Sequence, residues 1–136
     1  MKAAFIQLNP VFGEIEGNIE KAVTLIERTE AEIIALSELF NTGYHITSKE
    51  EAFDLSEPLP GGKTTETLSA IARKKYSHIV AGLIERQDEN LFNSAVVISP
   101  SGYLGKYRKI HLFIEGKTFI IDLLPKTGKE VVINIG

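Results

Sequence analysis

The sequence predicts an α/β domain built around a mixed β-sheet. Short apolar runs alternate with amphipathic helical patterns through residues 2–75, which is typical of βαβ units with parallel strands. Two further apolar runs, at residues 78–85 and 90–99, are separated by a short polar loop that favours an antiparallel hairpin. A length of 136 residues fits one domain of ordinary size.

The first βαβ unit is predicted from the opening third of the chain. Residues 2–8 are apolar almost throughout, as expected of a strand that is covered on both faces. Asn18 is a competent N-cap, and the helix that follows it is predicted to end near Thr29. The apolar stripe of that helix is formed by Ile19, Ala22, Val23 and Ile26. Residues 32–36 predict a second strand, parallel to the first through a right-handed crossover.

A polar segment and a second helix come next. Residues 47–62 predict a surface loop with one short helical turn, closed by two prolines and a glycine pair. Thr64 or Thr65 is positioned to cap a helix. The last turn of this helix is basic, which suits the helix dipole, and contains Arg73, Lys74 and Lys75.

The antiparallel part of the sheet is predicted after residue 78. Pro100 and Gly102 occupy positions typical of a type I turn, and the turn leads from the hairpin into a fifth strand at residues 103–110. Residues 114–129 are predicted to be mostly irregular, and residues 130–136 predict a last strand.

Composition and charge argue against several classes of function. A net charge of −3 and a pI of about 5.6 provide no field that would attract nucleic acid or an anionic membrane. No apolar run approaches the roughly 18–20 residues of a membrane span, so we expect no membrane partner and a cytoplasmic location. Cysteine is absent and the three histidines lack metal-ligand spacing, so neither a cofactor nor a metal is expected.

Glu38 is the first candidate for chemistry. It lies two residues beyond the apolar run at residues 32–36, and functional groups collect beyond the carboxyl ends of strands in open α/β sheets. Two interpretations are open from position alone. Glu38 is either a capping or salt-bridged glutamate on the rim, or a general base whose pKa is raised by its apolar neighbours. Those neighbours are Leu36, Leu39 and Phe40.

Lys109 is the second candidate. Strand alternation places it on one face together with Tyr103 and Tyr107, and places Lys106 and Arg108 on the other face, which we expect to be solvated. A lysine on a partly apolar face either extends its ammonium group to water or is held there for its charge.

The segments around both residues resemble two signature blocks of the carbon-nitrogen hydrolase (nitrilase) superfamily. "ALSELFNTGY" resembles the block around the catalytic glutamate, and "GYLGKYRKIHLF" resembles the block around the catalytic lysine. The hairpin "GLIERQDENLFNSAVVISPSG", with its Asn93-Ser94 pair, and the opening "AFIQLNPVFGEIEGNIEKA" are also similar to that family. The resemblance runs from residue 1 to about residue 113.

The resemblance implies half of a four-layer αββα sandwich. Residues 1–136 would form the N-terminal part of a carbon-nitrogen hydrolase domain, ending before the strand that carries the nucleophilic cysteine. It also implies that Glu38 is the general base and Lys109 the oxyanion stabiliser. Glu115 is the nearest match to a second glutamate of the family but stands one position early, and Ser37 replaces a proline that usually precedes the catalytic glutamate.

The chemistry implied by the resemblance needs a third residue. In the family, a cysteine attacks an amide or nitrile carbon, the glutamate takes its proton and the lysine stabilises the developing negative charge. Without a cysteine, the chain is expected to be inactive alone. Two functions follow as hypotheses. One is amidase-type hydrolysis of a small amide or nitrile, and the other is a non-catalytic remnant that pairs with itself or an intact homologue through an exposed sheet face.

Overall fold

The structure is a computed structural model and describes residues 1–109. Its elements are β1 (Ala3–Ile6), α1 (Ile15–Arg28), β2 (Ile33–Leu36), α2 (Lys49–Asp54), α3 (Lys63–Lys75), β3 (His78–Gln87), β4 (Asn90–Ser99) and β5 (Gly102–Arg108). The predicted strand at residues 130–136, the segment at 114–129 and Glu115 lie outside the described residues.

The strands of the described region form one mixed sheet in the order β1-β2-β3-β4-β5. The first three strands are parallel, and β4 and β5 run antiparallel to their neighbours. The carboxyl ends of β1 and β2 therefore lie at the same edge of the sheet. The prediction of an α/β domain with a mixed sheet is confirmed.

Helix α1 begins earlier than predicted, and the proposed Asn18 cap is wrong. The helix starts at Ile15, so Asn18 lies inside it and is buried. The Asn18 side chain accepts a hydrogen bond from the Val11 backbone nitrogen at 2.8 Å. It also donates to the carbonyls of Val11 at 2.8 Å and Asn41 at 2.9 Å. This asparagine thus joins the loop before α1 to the segment after β2.

The predicted caps of the second helix are also wrong. Helix α3 begins at Lys63, which places Thr64 and Thr65 in its first turn. The buried Glu57 carboxylate instead accepts the Thr64 backbone N–H at 3.0 Å. A carboxylate at this position satisfies a free helical N–H and interacts favourably with the helix dipole.

The two faces of the sheet are covered differently. Helices α1 and α3 pack on one face over the main core, which includes Ile26, Ile34, Leu68, Ile79 and Ile98. A smaller cluster lies on the opposite face, where Ile84 and Leu91 pack with residues of the 39–55 segment. On that opposite face, Phe5 at the β1 edge stays 64% exposed. None of the helices in residues 1–109 has the length and apolar character needed to cross a membrane.

Candidate active site

The backbone of Glu38 is fixed in a tight turn directly after β2. Leu39 adopts a left-handed conformation with φ of 47°, and the Phe40 nitrogen donates to the Gly82 carbonyl of β3 at 3.3 Å. A Cβ atom at Gly82 would lie 2.8 Å from the Glu38 Cα, so glycine is what allows the turn to pack on the strand. The Tyr44 hydroxyl donates to the Glu38 carbonyl at 2.6 Å. The turn is therefore held from both sides.

Lys109 extends from the end of β5 to the Glu38 side chain. Its Nζ donates to Glu38 Oε1 at 2.7 Å, and both side chains are 39% exposed. The backbone nitrogen of Lys109 donates to the Asn93 carbonyl at 2.8 Å, which continues the pairing of β5 with β4. Of the two interpretations of this lysine, the structure supports the one in which it is held for its charge.

Asn93 connects the two candidate residues. Its Nδ2 donates to the same Glu38 Oε1 at 2.5 Å, while its carbonyl accepts the Lys109 N–H. The sequence singled out Asn93 only as part of the resemblance. Alternation along β4 could have placed it on the face of Lys109, but its bond to Glu38 depends on the turn after β2, which the sequence did not specify.

The pKa of Glu38 is lowered, which agrees with the interpretation of a salt-bridged glutamate and differs from the raised pKa that the alternative interpretation required. Burial raises the pKa of this carboxyl, but hydrogen bonds from Lys109 and Asn93, together with the Lys109 charge, outweigh burial. Glu38 is consequently an ionised carboxylate at neutral pH and can accept a proton. Burial and the Glu38 charge raise the pKa of Tyr44, so its hydroxyl stays protonated and keeps donating.

A second carboxylate, Glu85, lies on the helix-covered face of the sheet and is fully buried. It pairs with Lys106 and Arg108, so the prediction that these two cations form a solvated face is wrong. Ser94 Oγ donates to Glu85 at 2.7 Å. Burial alone would raise the pKa of Glu85, but the bonds from Arg108, Lys106 and Ser94 lower it to about 2. The sequence offered one signal for this cluster, an acid within an otherwise apolar run.

No metal site is formed by the described region. Within residues 1–109, no group of three or more His, Asp or Glu side chains is arranged to hold a metal ion. Glu115 lies outside these residues, so its predicted role stays a prediction.

The site defines a class of protein: α/β domains in which an ionised carboxylate and a fixed lysine meet beyond the end of a parallel strand. A family model described as carbon-nitrogen hydrolase matches residues 2–135. The chain belongs to the carbon-nitrogen hydrolase family, as the resemblance of its two sequence blocks predicted.

Similar proteins agree with this assignment. A nitrilase from Pyrococcus abyssi is 43% identical over 122 residues, which is 88% of this chain and 47% of the relative. An omega-amidase from Xenopus laevis is 38% identical over 101 residues, which is 71% of this chain and 35% of the relative. A crystal structure of an N-terminal amidase with an Asn-Glu-Ala peptide superposes with a TM-score of 0.77 at 26% identity, covering 83% of this chain and 29% of that one. The chain thus spans about half the length of the first relative and less of the others.

Proposed function

We propose that Glu38 and Lys109 are the general base and the oxyanion-stabilising cation of an amidase-type site that hydrolyses a small amide or nitrile. The observation that carries this proposal is the 2.7 Å contact between Lys109 Nζ and Glu38 Oε1, with Asn93 donating to the same oxygen. A proton acceptor and a cation then face the same reacting group. The names of the relatives, nitrilase and omega-amidase, support this substrate class.

The proposed reaction assigns each charge and proton to a named group. A cysteine sulfur attacks the amide carbon, its proton passes to the Glu38 carboxylate, and the negative charge on the carbonyl oxygen lies beside Lys109. The proton then passes to the leaving nitrogen, the C–N bond breaks and ammonia leaves. Glu38 next takes a proton from water, the hydroxide attacks the thioester, and the thiol regains its proton as the acid is released.

The nucleophile must come from polypeptide other than these 136 residues, because they contain no cysteine. We therefore expect the 136-residue chain alone to release no ammonia from small amides and nitriles above the background of a Glu38→Ala variant. Ammonia release by the chain alone that Glu38→Ala abolishes would refute the requirement for an external nucleophile.

A chimaera tests whether Glu38 and Lys109 support hydrolysis when a relative supplies the nucleophile. The chain would replace the aligned segment of the Pyrococcus abyssi relative, so that the relative supplies the remaining half. We expect Glu38→Gln and Lys109→Met each to lower ammonia release about 100-fold or more, because each removes one charge-handling group. The matched control is the exposed pair of Lys63 and Glu16, whose neutralisation should leave the rate unchanged. A folded chimaera in which Glu38→Gln keeps full activity would refute the role of Glu38.

A non-catalytic role is the second candidate, and the exposure of Phe5 favours it. Phe5 is 64% exposed on β1, an edge strand of the sheet in residues 1–109, and a free edge and an exposed aromatic ring both favour association. Self-association in the cytoplasm is the form we propose for this role. Sedimentation of the purified chain should then show a dimer that Phe5→Lys dissociates, whereas a monomer at high concentration would argue against self-association.

A further inference from the structure

Two carboxylates, Glu38 and Glu85, lie on opposite faces of the sheet. The same two dipeptides donate hydrogen bonds to both of them. In Asn93-Ser94 of β4, the first side chain donates to Glu38 and the second to Glu85. In Arg108-Lys109 at the end of β5, the first side chain bonds Glu85 and the second bonds Glu38. Successive side chains of a strand point to opposite faces, so the position of the side chains that bond Glu85 constrains the position of those that bond Glu38.

The Glu85 cluster is built more rigidly than the Glu38 site. Arg108 Nε donates to Glu85 at 2.9 Å, its Nη2 also bonds Glu85 and Gln87, and its guanidinium lies 3.6 Å from the centre of the Phe92 ring. The Arg108 side chain is only 11% exposed, against 39% for Lys109. A planar guanidinium held on several sides has little freedom to shift.

The register of β5 needs such an anchor. The pairing of β4 with β5 shifts between Val97 and Ile98, because Val97 opposes Gly105 and Ile98 opposes Tyr103, which leaves Leu104 without an opposite residue. A bulge of this kind changes which face the following residues occupy, and a slip of one residue moves every side chain to the other face. Such a slip would take Lys109 away from Glu38.

We propose that Glu85, acting through Arg108, is a positioning residue that fixes the end of β5 so that Lys109 meets Glu38. The cluster lies beyond the reach of any substrate at Glu38, since it is buried on the opposite, helix-covered face. This inference rests on the proposed function, in which the Glu38 and Lys109 pair performs the chemistry. A purely stabilising ion pair would instead leave the Glu38 site unchanged in any variant that still folds.

The test is a titration of Glu38 in the 136-residue chain, followed by carbon NMR of glutamate side chains and assigned with Glu38→Gln. Lys109→Met is the reference variant and should raise the pKa of Glu38, because burial remains while the cation is lost. Glu85→Gln and Arg108→Lys are the test variants. Glu27→Gln is the control, since it removes one charge from the exposed pair with Lys74.

We expect Glu85→Gln and Arg108→Lys to raise the pKa of Glu38 in the same direction as Lys109→Met, and Glu27→Gln to leave it unchanged. The sign is decisive for Glu85→Gln. Removing a negative charge by itself can only lower the pKa of a neighbouring carboxyl, so a rise requires that Lys109 or Asn93, the two donors that lower the pKa of Glu38, has moved. Arg108→Lys keeps the charge, so it decides the question if Glu85→Gln fails to fold.

Two results would overturn the inference, and they differ. If Lys109→Met raises the pKa of Glu38 while the folded test variants leave it unchanged or lower it, Glu85 has no positioning role and the proposed function stands. If Lys109→Met itself has no effect, the pairing of Glu38 with Lys109 is absent in solution. The proposed function and this inference then fail together.

Discussion

Replacing Gly82 by alanine should destabilise the protein and displace Glu38. An added Cβ would lie 2.8 Å from the Glu38 Cα and 3.2 Å from the Leu39 nitrogen. Both neighbours are backbone atoms, so no side chain can rotate to relieve the contact. The turn that carries the carboxylate and strand β3 must therefore move apart.

The size of the effect follows from this overlap. Ordinary contacts of a Cβ begin at 3.4 Å, so the Glu38 Cα must retreat from 2.8 Å by about 0.6 Å. Overpacking of this kind costs about 1–3 kcal/mol of unfolding free energy. Alanine recovers about 0.5–1 kcal/mol because the unfolded chain is less flexible than with glycine. A net loss of about 1–2 kcal/mol is expected.

Urea unfolding measures this loss directly. With a slope of about 2 kcal/mol per molar urea, the middle of the usual range, the midpoint should fall by roughly 0.5–1 M. Gly17→Ala is the matched control, because Gly17 lies within helix α1 with nothing within 4 Å of an added Cβ. It should stabilise the protein by about 1 kcal/mol. A Gly82→Ala protein as stable as Gly17→Ala, with the pKa of Glu38 unchanged, would refute the close packing of the turn on β3.

Two further predictions concern the buried polar groups. The pKa of Glu85 is lowered from 4.5 to about 2, so its stabilisation is present above about pH 4.5 and is lost as the pH falls towards 2. At about 1.4 kcal/mol per unit the loss is about 3 kcal/mol, and urea unfolding between these pH values should show it in the wild type but not in Glu85→Gln. Asn18→Ala removes three hydrogen bonds and takes this partner from the Val11 N–H and the Asn41 carbonyl, while the Val11 carbonyl keeps its bond from the Glu14 N–H. The substitution should cost about 2–3 kcal/mol, whereas Thr24→Ala, at an exposed hydroxyl, should cost less than about 0.5 kcal/mol in the same assay.

The course of the chain was largely predictable because hydrophobic periodicity reports burial directly. The apolar runs at residues 32–36 and 90–99 became β2 and β4 within one or two residues. The helix starts were not predictable, because neither the Asn18 side chain nor Thr64 or Thr65 acts as the N-cap that its residue type and position suggested. The Glu57 carboxylate in the preceding loop accepts the Thr64 N–H at the start of α3. Asn18 bonds Val11 in the loop before α1 and does not cap the helix that contains it.

The sequence was sufficient to predict which two residues form the candidate site, but it did not predict how they contact each other. Position beyond a strand drew attention to Glu38, and the resemblance joined it to Lys109, 71 residues away. The direction of the Glu38 pKa stayed open because local sequence shows the apolar neighbours of a carboxyl but not its long-range partner. Burial does raise the pKa, and only the folded structure shows that Lys109 and Asn93 outweigh it.

The cations near the end of β5 show that the pKa of Glu38 and the burial of the Lys106 and Arg108 pair depend on the same feature, the long-range partners of these charges. Lys106, Arg108 and Lys109 stand close together, and a strict two-residue alternation separates them into a solvated pair and a single lysine. The structure keeps this separation but pairs each side with a carboxylate, Lys106 and Arg108 with Glu85 on the covered face and Lys109 with Glu38 on the opposite one, so only the expectation of solvation was wrong. Neither acid is near β5 in sequence, so both partners come from strand order and register. The charges at the end of β5 are therefore bonded on both faces of the sheet, and their chemistry follows from which carboxylate each cation meets.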